Sequence, residues 1–144
     1  MTRRSNPQLA GSLVTCIVAI SLTGCEPTSG RESVAGIVSF AGQQLADGNI
    51  LFRPIGDGQT AGAKISQGKF KIPRDPGLLP GKYRVEIKAM RAVGKKYTDS
   101  ESGEEVQDRE QYIPARYNTR TELTCEVTAG GENRFDFELT ETEN

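Results

Sequence analysis

The chain predicts an all-β fold, a seven-stranded antiparallel β-sandwich that follows an N-terminal leader. Three observations carry this. From Ser33 onward, apolar residues recur at every second position in short segments, which is the period of a half-buried strand. Gly, Pro, Asp and Asn punctuate those segments where turns are needed. Beyond the leader, no stretch repeats its apolar residues with the period of a helix.

The leader comes first. Arg3 and Arg4 supply a positive end, residues 9–22 carry no charge, and small residues lead on to Cys25. The apolar run falls short of the ~20 residues a membrane-spanning helix needs. It reads as the apolar core of a secretory signal. Leu22-Thr23-Gly24-Cys25 resembles a bacterial lipobox: Leu22 in the aliphatic position, Thr23 in the small one and Gly24 before the cut. The resemblance implies that residues 1–24 are a lipoprotein signal peptide and that Cys25 carries the lipid. It places the protein in the cell envelope, on a bacterial membrane, facing the periplasm or the exterior. The plainer alternative is an ordinary signal peptide with an incidental Cys25. The Arg3-Arg4 pair hints at twin-arginine export, but its surroundings match that signal poorly. Residues 25–33 are polar, contain Pro and Gly, and read as a flexible tether. Residues 34–141 then form the sandwich domain.

Composition narrows the function. Removing residues 1–24 from the 144 leaves 120, one ordinary domain. Arg3 and Arg4 leave with them, so 16 of the 18 basic residues face 19 acidic ones. With no basic field, nucleic acid is not an expected partner. Of the 3 cysteines, Cys16 lies in the leader and Cys25 takes the lipid, so no internal disulfide is available. Cys125 alternates in phase with Leu123 and Val127, which reads as a small inward side chain rather than a redox thiol. The count of His is 0, which excludes Ser-His-Asp and Cys-His machinery and every His-ligated zinc site. The count of Trp is also 0, which removes the best stacking platform for sugars. No cofactor and no enzymatic role are expected; an enzyme built on carboxylates alone is set aside.

The strands follow in order. Residues 33–40 place Val34, Gly36, Val38 and Phe40 on one face, and a turn over 42–48 leads on. Residues 49–53 turn Ile50 and Phe52 inward, and Pro54 stops them because proline cannot donate to a ladder. Residues 60–66 and 69–72 form a hairpin across Gln67-Gly68, with Ala61, Ala63, Ile65, Phe70 and Ile72 inward. Pro80-Gly81 suits the centre of a type II turn. It launches residues 82–90, where Tyr83, Val85, Ile87 and Ala89 alternate with Lys82, Arg84, Glu86 and Lys88. Residues 122–128 and 134–140 close the domain as a hairpin around 129–133, with Phe135, Phe137 and Leu139 inward.

Val34-x-Gly36-x-Val38, then Leu45-x-x-Gly48-x-Ile50-x-Phe52-x-Pro54, resembles the opening of carboxypeptidase regulatory-like domains. Gly68-x-Phe70 and Leu79-Pro80-Gly81-Lys82-Tyr83-x-Val85 are similar to later motifs of that family, although one residue between Pro80 and Gly81 is missing. Small bacterial lipoproteins of this kind also carry a late segment like Ile113-Pro114-Ala115-Arg116-Tyr117-Asn118. The resemblance implies a transthyretin-like (prealbumin-like) sandwich and a non-enzymatic accessory role. It carries over no catalytic residues. The transthyretin-like hydroxyisourate hydrolases depend on histidines that this chain lacks. An intramolecular Lys–Asn isopeptide bond, as in related collagen-adhesin sandwiches, is not expected, because the strand Lys and Glu residues point outward.

Two stretches remain as candidate sites. Residues 94–111 form the longest irregular segment and are rich in acid. Asp99, Glu101 and Glu110 stand at positions 1, 3 and 12 of an EF-hand-like spacing, but Gly103 and Glu104 break the pattern at 5 and 6. The plainer reading is a solvated loop held open by like charges, so no metal site is assigned. Tyr112, Arg116 and Tyr117 flank Pro114 as a small aromatic-basic patch. Their plainer reading is a loop that folds back and caps the sandwich. The expected role is a membrane-anchored, non-catalytic envelope module, either structural or interacting with a protein partner. The alternative is a ligand-binding module, for calcium through 99–110 or for glycan.

Overall fold

The computed structural model describes residues 30–141. The leader, the lipobox residues Leu22, Thr23 and Gly24, and Cys25 lie outside the described residues. Among those described, no helix is long and apolar enough to cross a membrane.

The fold is all-β. In chain order its strands are β1 (Val34–Phe40), β2 (Gln43–Gln44), β3 (Asp47–Pro54), β4 (Ala61–Ser66), β5 (Lys69–Ile72) and β6 (Gly81–Lys88). They continue with β7 (Met90–Ala92), β8 (Tyr97–Thr98), β9 (Glu105–Val106), β10 (Arg109–Gln111), β11 (Thr124–Val127) and β12 (Arg134–Leu139). The main sheet runs β11-β6-β3-β4-β5-β1-β12, with β2 beside β1. All seven strands read from the sequence are present.

The sheet curls because β4 serves two neighbours unequally. It pairs with β3 from Asp47↔Ser66 to Phe52↔Ala61, but with β5 only at Ser66↔Lys69. The strands part there, and the two halves close on one core. Val38, Phe52, Ile65, Val85 and Ile87 are fully buried. Phe70 bridges the halves, its ring 5.9 Å from Phe52 and 6.3 Å from Phe137. The alternation on β6 is as the sequence requires: Tyr83, Val85 and Ile87 inside, Lys82, Arg84 and Lys88 outside. Burying one such apolar side chain contributes ~1.5–3 kcal/mol, so this face dominates stability.

Three local expectations need correcting. The last two strands do not form a hairpin. β11 pairs antiparallel with β6, while β12 crosses over to pair parallel with β1. The sheet is therefore antiparallel at every pairing except β1–β12. Gly36 makes this possible: a Cβ there would sit 1.7 Å from the Phe135 carbonyl oxygen. Next, residues 42–48 are not a simple turn. Ala41 and Gly42 both have positive φ (51° and 77°) and close a two-residue hairpin into β2. Last, Gly81 has φ 150° and already pairs with Val127, so Pro80-Gly81 is not the type II turn expected. The Gln67-Gly68 hairpin is as expected, with φ of 49° and 73°.

The stretch read as tether over 25–33 ends in fixed chain. Glu32 is 7% exposed and exchanges two backbone hydrogen bonds with Leu78, at 2.7 and 2.9 Å. Its carboxylate accepts from Arg74 and from the Gly130 amide, each at 2.9 Å. Arg31 donates to the Gly77 carbonyl and to Gln59.

Candidate functional site

Strand direction gives the body two distinct ends. Val34, Pro54, Ile72, Gly81, Val127 and Arg134 share the N-terminal end, where the chain enters. Phe40, Asp47, Ser66, Lys88 and Leu139 share the opposite end. Both sequence-predicted candidate stretches lie at that opposite end, and both are more ordered than the sequence suggested.

Residues 94–111 are not an irregular loop. With β7 they fold into a hairpin arm that continues β6 outward. β7 pairs with β10 from Met90↔Gln111 to Ala92↔Arg109, Val93 donates to the Asp108 carbonyl at 2.8 Å, and β8 pairs with β9. Charge holds the arm, not burial. Arg91 pairs with Glu110 at 2.6 Å, and Lys96 with Glu105 at 3.0 Å. The Tyr97 hydroxyl donates to Asp108, which raises its pKa. At the tip, Asp99 accepts from the Ser102 amide and hydroxyl and the Glu101 amide at 2.8–3.1 Å, with Gly103 at φ 72°. Those bonds, led by the Ser102 amide, hold the Asp99 carboxyl below its usual range.

This geometry separates the EF-hand-like ligands. Asp99 is committed to its turn, Glu110 to Arg91 at the arm's base, and Glu101 is exposed near the tip. Among the described residues, no group of three or more Cys, Asp and Glu is placed to hold a metal ion.

Tyr112, Arg116 and Tyr117 cap the same end. Tyr112 packs edge-on against Phe40 at 5.6 Å, and the Arg91 guanidinium lies over the Tyr112 ring at 5.6 Å. Glu110, Arg91, Tyr112 and Phe40 thus form one chain of contacts from arm to core. Arg116 stacks on Tyr117 at 4.8 Å and donates to the Thr140 carbonyl and hydroxyl at 3.0 and 2.8 Å. The Thr140 amide donates to the Tyr117 hydroxyl at 3.1 Å. Burial pushes the Tyr117 pKa up, but the bonds to Thr140 and the Arg116 charge outweigh it, and the net shift is downward. Buried Asn118 donates to the carbonyls of Ile113 and Pro114, both at 3.0 Å. The segment is a clamp on the end of β12.

The sequence did not reveal Arg91, Lys96, Tyr97 and Asp108 as partners in the arm. The available signal was Ser102-Gly103, a turn dipeptide flanked by Tyr97 and Val106. Cys125 is half-buried, and burial pushes its thiol from 9.0 up to about 12, far from a reactive thiolate. The outer face over Leu51 and Gly62 is concave, but its one carboxylate, Glu86, is bound by Arg53.

Comparison with protein-family models, with curated proteins and with solved structures finds no match for this chain.

Proposed function

We propose that the protein is a lipid-anchored module of a bacterial cell envelope that works by binding another protein, without catalysis. Chain polarity is the observation that carries this reading. The chain enters the body at one end, and a charge-laced arm projects from the other. A lipid on Cys25 would hold the N-terminal end at the membrane and direct the arm away from it. Met90 and Tyr97 on the arm are 45% and 49% exposed, apolar contact surface that the body leaves uncovered.

The body is of the transthyretin-like, carboxypeptidase regulatory-like kind in this reading. Its division into β11-β6-β3-β4 and β5-β1-β12 around one core supports that assignment. A non-catalytic role is supported by the engagement of Asp99, Glu110, Tyr112, Arg116 and Tyr117 in internal contacts.

Photocrosslinking on membranes tests the reading. A photoreactive side chain is placed at Tyr97, and in a second sample at Lys82 near the N-terminal end. Protein adducts are expected from position 97 and not from 82. Equal adducts from both, or none from 97, contradict it.

A further inference from the structure

Among the described residues, four large apolar side chains are exposed, and they divide by end. Met90 and Tyr97 belong to the arm. Ile55, 54% exposed, and Leu79, 39% exposed, lie at the N-terminal end. Both of the latter are fixed to the start of β6. The Ile55 amide donates to the Lys82 carbonyl at 2.8 Å, and the Tyr83 hydroxyl donates to the Leu79 carbonyl at 2.8 Å. Lys82 and Cys125 line the concave surface on one side of Ile55; Arg53 and Arg84 line the surface on the other. Glu126 lies beside Lys82 on the first surface, and Arg53 is ion-paired with Glu86 on the second, so Lys82 and Arg84 are the cations this end offers next to Ile55. Exposed apolar side chains beside such cations settle into a headgroup layer.

The length of chain before this end selects the occupant. Five peptide steps separate Cys25 from Gly30 and reach at most ~18 Å. β6 alone has 8 residues and spans ~26 Å. A lipid on Cys25 therefore keeps the Ile55–Leu79 end beside the bilayer and leaves the arm beyond its reach when the strands stand upright.

We propose that this end is a lipid-contact face. Ile55 and Leu79 enter the boundary between headgroups and acyl chains, and Lys82 and Arg84 meet the phosphates of anionic lipids. The face orients the domain on the bilayer, so the lipid tether does not act as a free swivel. The inference rests on the anchoring proposed above.

The chain has 0 Trp, so one introduced indole reports one site. Ile55→Trp, Leu79→Trp and Met90→Trp forms of the lipidated chain are placed in vesicles of phosphatidylglycerol and phosphatidylethanolamine. Lipids brominated near the glycerol then quench the indole. Quenching at 55 and 79 is expected to exceed that at 90 by about threefold or more, with a blue-shifted emission. Replacing phosphatidylglycerol by phosphatidylcholine reduces the difference. Acyl mass on Cys25 is measured in the same samples. An acylated chain with equal quenching at all three positions overturns the contact face and leaves the anchor standing. Absence of the acyl mass overturns the anchor and the face together.

Discussion

The body and the arm are both antiparallel β-structure for most of their length, yet different forces hold them. Every residue of the buried core comes from outside 90–111. The body is held by apolar burial between the two halves of its sheet. The arm is held by Arg91–Glu110, Lys96–Glu105 and the Asp99 turn, all at exposed or half-exposed positions. Exposed ion pairs contribute ~0–1 kcal/mol each, so the arm has little stability of its own. A ladder therefore tells little about what a segment contributes to stability; the location of its side chains decides that. In the proposed function, the division puts the framework in the body and the adaptable surface in the arm.

The comparison can be broken at five points, from the largest effect down. Phe52→Ala, at the centre of the aromatic cluster, should cost ~3–5 kcal/mol in denaturant unfolding. Gly36→Ala forces a methyl against the Phe135 carbonyl and should cost about 3 kcal/mol, with β12 amides exchanging faster than those of β6. A Gly36→Ala form as stable as wild type would mean that β1 and β12 do not pair in parallel. Glu32→Ala leaves the Gly130 amide without its acceptor and should cost ~1–3 kcal/mol.

Cys125 supplies a pH test. Its folded pKa is raised from 9.0 to about 12, so burial favours the neutral thiol. The corresponding stability is fully present below pH 9 and is lost as the pH rises towards 12. A Cys125→Ala form should lose that part of the alkaline decline, and alkylation of native Cys125 at pH 8 should be slow. The smallest effect is in the arm. Asp99→Ala should change global stability by less than about 0.5 kcal/mol, while the Glu101 and Ser102 amides exchange faster. A large loss of global stability would show that the arm is part of the cooperative fold.

What the sequence made legible follows the same division. The body strands bury one face, so Val34 to Leu139 show a period of two, and all seven strands stand close to their expected bounds. Gln67-Gly68 was readable because its turn type favours Gly. Ala41-Gly42 has the same X-Gly form, but the strand it leads into is two exposed residues, Gln43–Gln44, with no apolar alternation to mark it. The parallel β1–β12 pair left no trace, since alternation reports a buried face and not its neighbour. Leu45, Leu78 and Ile113 are core residues supplied by connecting segments, where single apolar positions have no period. The arm has few apolar residues to alternate, and its charges read as a solvated loop. For the candidate residues, the contacts of Tyr112 with Phe40 and of Arg116 and Tyr117 with Thr140 join segments far apart in the sequence, so spacing could not show them. Pairing of Glu110 with Arg91 depends on register across a hairpin and could not be read from spacing.

Anchoring at the end opposite the arm is the central claim, and the mass of the mature chain tests it most directly. Protein taken from its own membranes should begin at Cys25 and carry the mass of at least two acyl chains, since one chain gives only marginal binding. A Cys25→Ser form should lose that mass and leave the membrane fraction. A wild-type chain without acyl mass, or a Cys25→Ser form that stays membrane-bound, would contradict the account.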